Sequence, residues 1–138
     1  MAASGARALK VLVVDDDADF RWLVGTTLRS EPAITVVGEA GDGRTAIALA
    51  RRERPDVVIL DLKMPELGGL EATRWIKDAA PGVKVLVVTS FAEDVYRRLA
   101  SVVGADRFLD KRDLATTLLP AIRDLARERL DRGVQSGR

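Results

Sequence analysis

The amino-acid sequence predicts an α/β fold, a doubly wound parallel sheet of five strands with five helices. Three observations predict it: short β-branched runs alternate with stretches of helical spacing, each run is apolar nearly end to end, and the connections are short. Strands that are apolar on both faces are strands covered by helices on both sides. Short strand-to-helix links keep successive strands parallel.

The elements follow in order. The first run is Lys10–Val14, with helical spacing after it over Asp19–Arg29. Ile34–Val37 precedes Arg44–Arg52, and Val57–Leu60 precedes Leu70–Asp78. Val83–Val88 leads to Glu93–Val102, and a weaker fifth run, Arg107–Leu109, leads to Leu114–Leu130. At 138 residues this is one domain, expected over 9–131. Residues 1–8 are short, polar and small and are expected to be disordered. Residues 132–138, with Gly133, Ser136 and Gly137, read as a tail or the start of a linker.

Composition narrows the function. No cysteine is present, which excludes disulfides, thiolate catalysis and Cys-based metal sites. No histidine is present either, so the commonest general base and transition-metal ligand are missing. A formal net charge of +1 gives no bulk field towards nucleic acid or an anionic membrane. No apolar run approaches the ~20 residues of a membrane helix, and the first residues lack a secretory h-region, so a cytoplasmic location is expected.

In an open parallel sheet ligands sit beyond the carboxyl ends of the strands. Asp15, Asp16 and Asp17 follow the first run, Asp61 the third, Thr89 and Ser90 the fourth, and Lys111 the fifth. Each has an ordinary reading alone: acids solvate loops or cap helices, with Asp17 or Asp19 a candidate cap, and a lone lysine is usually solvated. Together they are harder to explain so. Clustered carboxylates raise one another's pKa unless a cation joins them. An oxygen-only set suits Mg²⁺. A lysine and a hydroxyl beside it supply what a transferring phosphoryl group needs, and an aspartate can serve as its acceptor.

Two motifs compete. Gly38-Glu39-Ala40-Gly41-Asp42-Gly43-Arg44-Thr45 has phosphate-loop spacing, but arginine stands where lysine is needed and Glu39 and Asp42 would oppose a triphosphate. Asp61-Leu62-Lys63 lacks the second aspartate of a haloacid-dehalogenase-type phosphatase.

VLVVDDD (Val11–Asp17), DVVILDLKMPELGGLEATR (Asp56–Arg74), VLVVTS (Val85–Ser90) and GADRFLDK (Gly104–Lys111), in this order, resemble the response-regulator receiver family of two-component signalling. VVGEAGDGRTAIALARRERPDVVILD is further similar to its NarL-type subfamily. The resemblance implies a flavodoxin-like fold and a signalling domain that catalyses only its own phosphorylation and dephosphorylation. It implies that Asp61 takes a phosphoryl group from a phosphohistidine on a sensor histidine kinase. Asp16, Asp61 and the Lys63 backbone carbonyl would ligate Mg²⁺, with Asp15 acting through water. Lys111 would pair with the phosphoryl group, Thr89 would move to it, and the switch aromatic Phe108 would turn inward. Without a histidine of its own, the chain needs an external donor. Gly68, Ser90 and Arg112 depart from the usual family residues without removing a catalytic group.

The output expected is transcriptional, through a DNA-binding domain absent from this sequence; a stand-alone receiver and a small-molecule enzyme are the alternatives. Lys63 and Phe91 should flank the approach of a hydrolytic water. The helix Glu93–Val102, with small residues Ala92, Ala100 and Ser101, should be among the less firmly packed elements. The face near it carries Arg97, Arg98, Arg107 and Arg112 with Asp94, Asp106, Asp110 and Asp113, and phosphorylation is expected to shift the protein through this face towards a homodimer or a partner-bound state.

Overall fold

The computed structural model describes residues 7–136. The strands are β1 (Leu9–Val14), β2 (Ile34–Ala40), β3 (Val57–Leu60), β4 (Lys84–Thr89) and β5 (Arg107–Asp110). The helices are α1 (Ala18–Arg29), α2 (Gly43–Glu53), α3 (Gly69–Ala79), α4 (Asp94–Val102) and α5 (Leu114–Ser136), with a single 3₁₀ turn over Lys111–Asp113. All pairings are parallel, in the order β2-β1-β3-β4-β5.

Alternation along each strand sends its residues to two cores. Leu12, Val14, Val58, Leu60, Val85 and Val87 face α2, α3 and α4, meeting Ala46, Ala50, Ala72, Ile76 and Ala100. Val11, Val13, Val57, Ile59, Leu86 and Val88 face α1 and α5, meeting Val24, Leu28, Leu118, Ile122 and Leu125. Because both faces are covered, the runs can be apolar throughout.

Some boundaries differ from expectation. β2 runs to Ala40 because Gly38, Glu39 and Ala40 pair with Leu12, Val13 and Val14 after a register shift. Val83 precedes β4, its N–H donating to the Ala80 carbonyl. α5 continues to Ser136 instead of stopping near Leu130, since one glycine costs about 1 kcal/mol in a helix and does not by itself end it. The expected disordered segment 1–8 lies outside the described residues except for Arg7 and Ala8, and of the expected tail only 137–138 does.

Two buried charges brace the amino-terminal ends of the strands. Lys84, on β4, is fully buried, with its ammonium 3.7 Å from Asp106 and 3.8 Å from Glu128. Asp56 accepts hydrogen bonds from the Lys10 N–H at 2.8 Å and from Arg7 and Arg129 at 2.9 Å each. Its own N–H donates to Lys10, and its carbonyl accepts from Lys84.

α4 is the least embedded helix. Ala100 is its one buried residue, while Val95, Leu99 and Val102 are exposed, Val102 at 81%. Their i, i+4, i+7 spacing makes one apolar stripe.

Candidate functional site

The direction of winding reverses between β1 and β3, and the loops beyond those two strands carry the acids. Asp15 and Asp61 are buried, at 1% and 7% exposure, while Asp16 is exposed. Oxygen atoms from the three carboxylates lie within 4.8 Å of one another. Lys111, at the start of the 3₁₀ turn after β5, reaches into this group. Its Nζ lies 2.8 Å from Asp15 Oδ2 and 3.0 Å from Asp61 Oδ2.

Local structure holds each acid in place. Asp15 Oδ1 accepts from the Asp17 N–H at 2.9 Å. Asp17 then caps α1, accepting from the N–H groups of Asp19 at 2.9 Å and Phe20 at 3.2 Å. Asp61 Oδ1 accepts from the Leu62 N–H at 2.7 Å. A Cβ on Gly69 would land on the Asp61 carbonyl oxygen, so a glycine there lets α3 begin directly beneath the Asp61 loop.

The electrostatics are those of a site short of positive charge. Burial pushes the Asp15 carboxyl above the usual carboxylate range, opposed by Lys111 and the Asp17 N–H and reinforced by the charge of Asp61. Burial also depresses Lys111, but its close pairing with the Asp15 and Asp61 carboxylates outweighs that and holds its pKa above the ordinary lysine value. The Lys111–Asp15 contact is close yet poorly aligned, leaving Asp15 Oδ2 buried without a hydrogen bond. That orphaned oxygen, within an all-oxygen donor set, fits a small hard cation.

Thr89 ends β4 fully buried, its Oγ1 accepting from the Phe91 N–H at 3.2 Å. Phe108, on β5, is half-buried beneath the Arg97 guanidinium, 4.7 Å from the ring centroid. Lys63 lies over the Phe91 ring at 5.2 Å, and Phe91 meets Tyr96 edge-on at 5.8 Å.

Two contributors were not legible in the sequence. Phe20 presents its ring to Lys111 Nζ at 4.0 Å. Arg21 donates to the Asp15 carbonyl at 2.5 Å while its Nε lies 3.4 Å from Glu39. The available signal was position alone, since both stand in the first turns of the helix that leaves the acidic loop.

The phosphate-loop candidate has another purpose. Asp42 caps α2 through the Thr45 N–H at 2.8 Å and hydroxyl at 3.0 Å, and Gly43 is where the Leu67 carbonyl comes too close for any side chain.

Among known proteins, the model of the response regulator receiver domain matches residues 11–123. This chain belongs to that family. The receiver is 40% identical over 121 residues to the response regulator protein VraR of Staphylococcus aureus, a match covering 86% of this chain and 57% of the relative. The chain therefore spans little more than half the length of that relative. The receiver domain of NarL from Mycobacterium tuberculosis superposes with a TM-score of 0.83 at 31% identity, covering 88% of this chain and 98% of that one. A DNA-binding response regulator of the LuxR family from Staphylococcus aureus superposes with a TM-score of 0.80 at 25% identity, over 85% and 98% of the two chains. The sheet order and alternation are the receiver fold, and its role is two-component signalling.

Within the receiver, the charged face expected near α4 is in part paired internally. Asp106 turns inward, 2.9 Å from Lys77, and Asp110 is held by Arg112 at 2.6 Å. Arg107 pairs with Glu128 at 2.8 Å. These pairs form within the molecule, while Asp94, Arg97, Arg98, Arg112 and Asp113 are exposed beside the apolar stripe of α4.

Proposed function

We propose that Asp61 is the phosphoacceptor of this receiver and that Asp16, Asp61 and the Lys63 backbone carbonyl hold Mg²⁺, with Asp15 acting through water. The observation that carries this is the convergence of three carboxylates and Lys111 on the rim where the sheet's winding reverses. When bound, Mg²⁺ neutralises charge on the carboxylates and on an incoming phosphoryl group.

The acceptor chemistry is a displacement at phosphorus. A carboxylate oxygen of Asp61 attacks the phosphohistidine of a sensor kinase, the P–N bond breaks, its electron pair returns to the imidazole, and an acyl phosphate forms on Asp61. Lys111 exchanges carboxylate oxygens for phosphoryl oxygens as its counter-ions. Thr89 leaves the Phe91 N–H to hydrogen-bond the phosphoryl group, and Phe108 turns into the space it vacates. The output is transcriptional, supported by likeness to a DNA-binding response regulator. Among the described residues no helix is long and apolar enough to cross a membrane, in keeping with action beside a cytoplasmic kinase domain.

Acetyl phosphate with Mg²⁺ should add one phosphoryl mass to the protein, and Asp61→Asn should abolish it. A label that survives Asp61→Asn, or an unchanged mass at high donor concentration, removes the assignment.

A further inference from the structure

At the pole opposite Asp61, α2 and α3 part to leave a cavity of about 420 Å³. It opens at the amino ends of β3 and β4, bounded by Pro55 on one side and Gly82 and Val83 on the other. Asp56 and Asp61 stand at the two ends of β3, five steps apart and roughly 16 Å along an extended strand, so this cavity is separate from the phosphorylation rim.

Its walls have two characters. Ile47 and Ala50 from α2 and Trp75, Ile76 and Ala79 from α3 form an apolar slot, in which Trp75 remains 52% exposed. Arg51, Arg54 and Arg129 add three guanidinium groups, and no lining residue is acidic. Arg129 is held by Asp56 and the Gly82 carbonyl. Among the described residues, Arg51 and Arg54 have no carboxylate within salt-bridge distance. Arg54 also takes a left-handed backbone conformation, φ 48° and ψ 61°, at the end of α2, where glycine is the easier residue. Strain retained at the rim of a cavity is a recognised mark of binding sites.

From these features we infer a second ligand site, for a small aromatic anion: a flat ring system against Trp75 bearing a phosphate or carboxylate met by Arg51 and Arg54. The volume is that of a small-molecule site, and its mix of apolar walls with a few converging polar groups is what such sites use. Planar guanidinium groups match the oxygens of either anion, and an indole face accepts an aromatic ring. Charge complementarity excludes a cation.

Adenosine 5′-monophosphate and salicylate distinguish the two anions, with inorganic phosphate as the probe that lacks a ring. Titrated into the full chain labelled with ¹⁵N, at least one aromatic probe should move the amides of Ala50, Ala79 and Gly82 saturably, with a Kd below about 1 mM. Loss of the two free guanidinium groups in Arg51→Ala/Arg54→Ala should weaken that binding at least about tenfold, the size of a lost charge-assisted contact. Trp75→Ala should weaken it too. Asp61 phosphorylation by acetyl phosphate should proceed unchanged in both variants. Absence of saturation, shifts centred elsewhere, equal binding by the double arginine variant, or inorganic phosphate binding as tightly as the aromatic probes would each overturn the site.

Discussion

The ammonium of Lys111 has three neighbours, two of them carboxylates that also face the proposed cation and phosphoryl group, and the third the ring of Phe20. In the proposed reaction the ring alone would stay constant while the carboxylates change partners, which would make Phe20 a positioning residue. A cation–π contact of ~0.5–2 kcal/mol corresponds to about two- to thirtyfold in rate. Phe20→Leu should slow phosphorylation by acetyl phosphate within that range, and Phe20→Tyr should restore it. An unchanged rate in a stably folded Phe20→Leu protein would show that the ring only fills space. A second pair, Lys63 and Phe91, touch each other beside the site, and neither carries an acid or amide to orient a water. Slow self-dephosphorylation is expected, and Lys63→Asn with Phe91→Glu should speed the decay of the phosphoprotein. Equal decay in parent and double variant is the contrary result. The acids and Lys111 were legible because each directly follows an apolar run, and a strand's end fixes its location. Phe20 and Arg21 were not, because which residues of a helix face a site depends on how the helix packs.

At the scale of elements, α2 and α4 carry different kinds of prediction. Asp42 caps α2, and its hydrogen bond from the Thr45 N–H, with help from the Thr45 hydroxyl, holds its carboxyl below the usual range. A carboxylate whose pKa is lowered by folding contributes stability above its unfolded pKa and loses it as pH falls through the folded value. Asp42→Ala should therefore cost about 1 kcal/mol at pH 7, as lost caps do, and the gap should narrow below pH 4. Urea unfolding of both proteins at pH 7 and pH 3 measures it, and a gap independent of pH would deny the cap its charge. In α4 the exposed stripe of Val95, Leu99 and Val102 lies on the helix between Thr89 and Phe108, whose proposed movement would reposition it. The sequence suggested ionic pairing between copies through this region, for which Asp94, Arg97 and Arg98 are exposed, and the apolar stripe adds contact surface beside them. A beryllofluoride mimic of the phosphoryl group should shift the protein towards a dimer or a partner-bound state, a population change that a few kcal/mol achieves. Thr89→Ala should abolish the shift. Sedimentation equilibrium with and without the mimic decides, and an equal shift in Thr89→Ala would free the threonine of that role.

For the whole molecule, the α/β class and all ten regular elements were readable, because apolar runs between helical stretches permit few other arrangements. The order of the strands was not, since nothing local to β2 says that it lies at the edge beyond β1. Nor was the burial of Lys84 legible. An apolar run containing a lysine reads as a strand that reaches solvent, whereas here Asp106 and Glu128 meet the ammonium inside. Asp56 was likewise ordinary in the sequence, one acid ahead of a strand. In the structure it grips Arg7, just ahead of the first strand, and Arg129, far along the last helix. The chain thus leaves and returns to a single side chain and is nearly a closed ring. The place where its numbering begins is then a matter of topology and not of folding. A gene that joined the two ends by a short linker and opened the ring at an exposed turn would encode the same sheet, with the same carboxylates meeting on its rim.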